Sequence, residues 1–165
     1  MAKDKGKKAD KNGKKAKKAE KKDKAARKAE KKAAKNGAKG GSYRLVTPSL
    51  TVNDLAASLK FYQGLGFAIK ETWKAPDGAV RGYELEAGKT GLMIGQDDFA
   101  KGRDRKKGEG VRLYFQTKET VDDLAARIKA AGVAIASEPA DQPWGGRTFD
   151  VVDPDGYKHT VTSTW

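Results

Sequence analysis

Apolar residues change their spacing several times along this chain, and each change predicts a new element. Leu50 and Val52 alternate with Ser49 and Thr51, the period of two that marks a half-buried strand within residues 43–52. Leu55, Leu59, Tyr62 and Leu65 then return at helical spacing, with Asn53 or Asp54 as the cap and Gly64 and Gly66 as the stop. Three strand-like runs follow, Phe67–Trp73, Ala79–Glu86 and Gly91–Gln96, the first two separated by the turn Pro76-Asp77-Gly78. After a connector the order recurs. Val111–Thr117 reads as a strand, Val121, Leu124, Ala125 and Ile128 as a buried helix stripe, and Val133–Ala136, Arg147–Val152 and Tyr157–Ser163 as strands. Asp153-Pro-Asp-Gly156 makes the last turn.

The recurrence extends to the residues themselves. Asp54-Leu-Ala-Ala57 reappears as Asp123-Leu-Ala-Ala126, and Gly66-Phe-Ala-Ile69 is echoed by Gly132-Val-Ala-Ile135. Each half reads βαβββ, and one half cannot cover both faces of its own sheet. The expected fold is therefore α+β, with two βαβββ modules forming a curved mixed sheet, helices on its convex face and a concave face left for a ligand. The connector, Asp97–Gly110, carries Lys101, Arg103, Arg105, Lys106 and Lys107 and reads as a solvated hinge.

Charge changes the picture at the N-terminus. Residues 1–41 hold 18 Lys/Arg against 5 Asp/Glu, whereas residues 42–165 hold 17 of each. The basic stretch lacks Val, Ile, Leu, Phe, Tyr and Trp, so it cannot offset the entropy of ordering. A disordered Lys/Ala-rich tail and linker over 1–41 and a single domain over 42–165 are expected, with helix-capable sequence over 14–35. Such an arm binds polyanions or nucleic acid nonspecifically, by releasing counterions. The chain has 0 cysteines, which removes disulfides, thiolate metal sites and cysteine nucleophiles and fits the cytoplasm. No apolar run approaches the roughly 18 residues of a membrane span.

Four motifs then carry a resemblance. Leu50-Thr-Val-Asn-Asp-Leu55 running into Phe61-Tyr62, Gly64-Leu-Gly-Phe67, Pro143-Trp-Gly-Gly-Arg147 and Asp153-Pro-Asp-Gly-Tyr157 together resemble the glyoxalase/bleomycin resistance/extradiol dioxygenase (vicinal oxygen chelate) superfamily over residues 43–165. The resemblance implies a divalent metal held by His and Glu side chains on the first and last strand of each half. Those positions fall here on Thr47, on Met93 within two residues, on Arg112 and on Thr160. A thioether, a guanidinium and two hydroxyls do not make such a site. His159 is the only histidine, and strand alternation turns it to the face opposite Thr160, which reads as a surface or packing position. The implied branch is the metal-free, bleomycin-resistance-like one, with no metal and no other cofactor.

No catalytic residue emerges. Ser49 and Ser58 have no neighbouring histidine, Asp122 and Asp123 diverge on a solvated helix face, and Gly37–Gly41 lacks the Lys-Ser/Thr of a phosphate loop. With Leu50, Val52, Leu113 and Phe115 turned to the helices, Thr47, Ser49, Thr51, Arg112, Tyr114 and Gln116 face the concavity. Trp73, Met93, Trp144, Phe149 and Thr160 complete the expected ligand-binding set. Trp73 and Phe149 have a core reading of equal weight, and Arg112 has Glu84 or Glu86 as alternative partners. The expected function is sequestration of a planar or amphipathic small molecule by a homodimer. The alternatives are a lyase or dioxygenase relative, and a polyanion-associated protein acting through its tail.

Overall fold

The computed structural model describes residues 45–163 together with Lys24, Arg27 and Lys28. The chain divides into two units, Met1–Leu45 and Val46–Trp165. In the first, Lys24, Arg27 and Lys28 are helical and exposed, while the rest of the expected tail over 1–41 lies outside the described residues.

The second unit runs β1 (Ser49–Val52), α1 (Leu55–Gly64), β2 (Ala68–Lys74), β3 (Val80–Ala87), β4 (Thr90–Gln96), β5 (Arg112–Thr117), α2 (Val121–Ala130), β6 (Ala140–Asp141), β7 (Arg147–Val152) and β8 (Lys158–Ser163). This is βαβββ twice. Each module closes its own four-stranded mixed sheet, ordered β1-β4-β3-β2 in sheet 1 and β5-β8-β7-β6 in sheet 2, with the first strand parallel to the last and the other pairs antiparallel.

The echoed glycines explain themselves here. After α1, Gly66 adopts φ +98° and Phe67 N–H reaches back to Tyr62 O at 3.0 Å; after α2, Gly132 adopts φ +82° and Val133 N–H reaches Ile128 O at 3.2 Å. Both are Schellman ends, which need the left-handed conformation that glycine adopts without a Cβ clash. At the other end of α1 the cap is Asp54, which accepts from Ala57 N–H at 2.9 Å.

One expected strand is not formed as read. Within Val133–Ala136 only Ile135 bridges, to Val151, and the strand that pairs with β7 is the two-residue β6. Ser137 is the reason. Its hydroxyl takes the Asp150 N–H at 2.9 Å, its own N–H and that of Ala136 both point at Asp150 O, and Pro139 supplies no donor at all, so the ladder cannot propagate.

A single core joins the modules. Leu50, Val52, Leu85, Leu92 and Ile94 of sheet 1 cluster with Phe149, Val151 and Val161 of sheet 2, around Tyr62 of α1 and Leu124 and Ile128 of α2. Since both sheets give one face to this cluster, their opposite faces turn outward. The rest of the junction is polar and largely buried. Asp155, in the last turn, accepts Asn53 N–H through both carboxylate oxygens (2.9 and 3.1 Å) and so ties the entry to α1 to residues about a hundred positions downstream.

The connector is the other tie, and this corrects its reading as a solvated hinge. Lys107 is only 1% exposed at its side chain; its ammonium donates to Asn53 Oδ1 and pairs with Asp97 at 2.9 Å and Asp155 at 3.4 Å. Arg105 reaches the same Asp97 carboxylate at 2.6 Å, and Phe99 N–H adds a bond at 2.8 Å. Hydrogen bonding from Lys107, then from Phe99 N–H, holds the Asp97 carboxyl well below the usual carboxylate range. A run of basic residues looks solvated in sequence because its acids, Asp97 and Asp155, arrive from either side of it.

Candidate functional site

Strand registers define what each open sheet face carries. On sheet 2, Leu113, His159 and Val151 form one cross-strand row and Phe115, Val161 and Phe149 another, both turned to the core. The intervening rows, Tyr114–Thr160–Asp150 and Gln116–Thr162–Thr148, form the open face, with Arg112, Lys158 and Val152 at one end. Thr148, Thr160 and Thr162 make a buried hydroxyl floor, and the Tyr114 ring stands above it, 56% exposed.

Arg112 is braced on that floor. Its Nη1 donates to Thr160 Oγ1 at 2.8 Å and pairs with Asp150 Oδ1 at 3.0 Å, while Thr160 Oγ1 donates to the same carboxylate oxygen at 2.6 Å. Asp150 is thus the partner, in place of Glu84 or Glu86, both of which belong to sheet 1. A recess of 500 Å³ lies beside Arg112, bordered by Lys158, Val111 and the Gly108-Glu109-Gly110 backbone. A guanidinium held at two of its donors keeps its remaining N–H groups oriented for an acceptor arriving from this side.

Sheet 1 presents a shallower face. Ser49 lies opposite Met93, Met93 opposite Glu84, and Glu84 pairs with Lys70 at 2.5 Å. Thr47 packs over Gly91, and the Trp73 ring fills the space above Gly82, where an added Cβ would come within 2.8 Å of it. Glycines at 82, 91 and 95 therefore form the bottom of this trough, a signal that sequence reading passed over.

Of the nine ligand-binding residues expected from sequence, Arg112, Tyr114 and Thr160 meet on sheet 2, and Thr47, Ser49, Met93 and Trp73 share the open face of sheet 1. Trp144 is 67% exposed on the tight turn before β7, at the end of sheet 2 away from Arg112. Phe149 is a correction. It is fully buried in the core, because its register opposite Val161 turns it away from Arg112. Apart from Phe149 and Trp144, these residues thus divide between the open faces of two separate sheets.

The metal-bearing positions of the family motif do not fit a divalent ion. Thr47 and Met93 lie on one sheet, Arg112 and Thr160 on the other, and the carboxylates beside them, Glu84 and Asp150, are each engaged by a cation, Lys70 and Arg112. Among the described residues no three His, Cys, Asp or Glu side chains gather. The Asp122 and Asp123 carboxylates diverge, Asp122 to Arg147 at 2.6 Å and Asp123 to the Thr120 hydroxyl at 2.5 Å.

His159 sits behind the open face as a packing residue. It is fully buried against the Phe115 ring, 5.2 Å between centroids, and its Nε2 lies 3.0 Å from the Tyr62 hydroxyl, which donates to Asp153 Oδ2 at 2.9 Å. The Tyr62 proton is committed to Asp153, so the imidazole carries its own on Nε2, and Nδ1 is left buried without a partner. Burial, reinforced by the Arg112 cation, pushes this imidazole down to about 4. Burial also raises the Asp153 carboxyl and the Tyr62 phenol.

Comparison with known proteins agrees with this architecture. The family model described as Glyoxalase/Bleomycin resistance protein/Dioxygenase superfamily matches residues 44–160. No protein of curated function matches the chain. Among solved structures, TioX from Micromonospora sp. ML1 superposes with a TM-score of 0.60 at 22% identity, over 74% of this chain and 100% of that one. A bleomycin-binding protein complexed with bleomycin gives 0.55 at 21%, over 74% and 100%. A hypothetical protein, SA1046 from S. aureus, gives 0.54 at 24%, over 75% and 100%. At these identities the structures share the fold. No described helix is long and apolar enough to cross a membrane.

Proposed function

Because this chain belongs to the glyoxalase/bleomycin resistance protein/dioxygenase superfamily, we propose that it binds a planar or amphipathic small molecule and releases it unchanged. The observation that carries this reading is Arg112, braced by Thr160 and Asp150 beside the exposed Tyr114 ring. That pairing offers an oriented cation and a flat apolar surface, the usual means of holding an aromatic ligand with an acceptor group. The side chains around it are threonines and an ion-paired carboxylate, which provide neither a free base nor an activated nucleophile. A protein of the same fold is a bleomycin-binding protein seen in complex with bleomycin, which supports a small-molecule ligand here. The poor match of the donor set to a divalent ion supports a metal-free branch, and the lack of cysteine fits action in the cytoplasm.

A ligand on sheet 2 is covered from one side only. The site closes when sheet 1 of a second copy, with Trp73, Met93 and the exposed Val80, lies over Arg112, Tyr114 and Val152. The working form in this reading is a homodimer with two equivalent sites.

The test is thermal unfolding of the full chain with bleomycin and a panel of planar aromatic compounds, with and without EDTA. An organic ligand at about 100 times its Kd adds about 2.7 kcal/mol of stability, independent of EDTA, and Arg112→Ala removes the effect. A chelator-reversible rise with Mn, Ni or Zn and none with organic ligands would replace this reading by the enzymatic one.

The 18 Lys/Arg of residues 1–41 favour a second, independent activity, nonspecific binding of nucleic acid or another polyanion. Duplex DNA binding by the full chain should weaken steeply between low and moderate salt, while small-molecule binding on sheet 2 changes little.

A further inference from the structure

Away from Arg112 and Tyr114, a cavity of 660 Å³ lies where the modules meet, near the C-terminal end of α1, and α2 forms part of its wall. Its floor is the core itself: Leu65, Phe67, Leu124, Ile128 and Val161 are buried yet border it, and the Phe115 ring meets Phe67 edge-on at 5.5 Å. Its rim is charged, with Lys89 on the β3–β4 turn, Lys118 and Glu119 after β5, and Arg127 on α2. Glu119 and Arg127 satisfy each other at 3.0 Å. That leaves Lys89 and Lys118, one from each module, without an ion pair among the described residues.

The volume is in the range of small-molecule sites. Water gains little on such a floor, because apolar walls offer it no hydrogen bonds, and the two lysines that border it supply positive charge. One kind of molecule suits both. We propose that this intermodule cavity binds an amphipathic monoanion, a carboxylate with a medium alkyl chain or small aromatic body, its apolar part on Phe67, Phe115 and Val161 and its head between Lys89 and Lys118. Of the residues on the open faces only Gln116 borders this cavity; Arg112, Tyr114 and Thr160, which carry the sheet 2 site, do not, so the two sites have different lining.

Isothermal titration of the full chain with decanoate tests this, with decanol as the uncharged counterpart and acetate as the bodiless one. Decanoate binds one per chain, and the double variant Lys89→Glu/Lys118→Glu weakens it by about tenfold or more through reversed charge. Both lysines are at the surface, and Lys89→Gln/Lys118→Gln gives a smaller loss in the same direction. Arg112→Ala leaves decanoate binding within about twofold, because that residue is braced on the other site. Unchanged binding in the Lys89→Glu/Lys118→Glu chain would assign the anion to the basic residues of 1–41 and overturn the proposal. Equal affinity for decanol, or a loss confined to Arg112→Ala, would overturn it as well.

Discussion

With Nε2 on the Tyr62 hydroxyl and Nδ1 bare, His159 has no solvent to stabilise a second proton. Above pH 6.5 the imidazole is neutral in the folded and unfolded chain alike, and its contribution to stability is complete. As pH falls from 6.5 toward 4 the unfolded chain takes up the proton first, so stability is lost, about 2 kcal/mol of it by about pH 5. Asp153 acts in the opposite sense, since its raised carboxyl protonates more readily when folded. Urea unfolding at about pH 7.5 and pH 5 therefore compares the wild type with His159→Gln, which removes only the imidazole. A pH loss of equal size in both chains would show that His159 is not its source. Arg112 contributes to the same depression, so in Arg112→Ala the single histidine titrates at higher pH, measurable by NMR without assignment of any other residue. Strand alternation in the sequence is enough to set His159 opposite Thr160. Its partners are not legible, because Tyr62 comes from the first module, 97 residues away. Asp150 escaped notice for a similar reason: nothing local says that β8 separates β5 from β7 and brings Thr160 between Arg112 and the acid.

At the scale of elements, the helix ends were the most legible feature and β6 the least. Glycine at 66 and 132 announces a left-handed residue in any context, and both positions carry the same cap. Gly66→Ala should cost about 1–2 kcal/mol in denaturant unfolding, because the strain sits in the backbone and no repacking relieves it. A cost near zero would mean that the α1 end reorganises. The short β6 was hidden because Ser137 and Pro139 act on hydrogen bonds, whereas periodicity reports only on side-chain burial. The connector shows the same limit. Five basic residues look alike in sequence, yet Lys107 is buried on two acids and Arg105 is partly exposed on one. Lys107→Met should therefore lower the thermal midpoint more than Arg105→Met, since it strips a buried ion of its partner at Asp155 as well as at Asp97. The reverse order would place the strength of the junction elsewhere.

For the whole molecule, the duplicated order and the α+β class could be read from periodicity, and the two modules are as expected. What periodicity does not contain is how the modules face each other. Both give their apolar faces to one core, so the polar faces look outward. Sedimentation velocity over a concentration series should show a reversible dimer, and Tyr114→Glu, which sets a charge on the open face of sheet 2, should shift it to monomer while leaving the unfolding midpoint nearly unchanged at dilutions where the wild type is itself monomeric. A strictly monomeric wild type at high concentration would leave the ligand on sheet 2 uncovered and remove the two-copy site.

Among the described residues no backbone–backbone hydrogen bond joins the modules; each hydrogen bond between them uses a side chain on at least one side, and the connector residues 100–104 between the anchored Asp97 and Arg105 are exposed. Covalent continuity there is consequently dispensable once the chain has folded. A limited tryptic cut after Lys101 or Arg103 should yield two fragments that migrate together under native conditions and part only in denaturant, and the halves expressed as separate polypeptides should reassemble into one functional body.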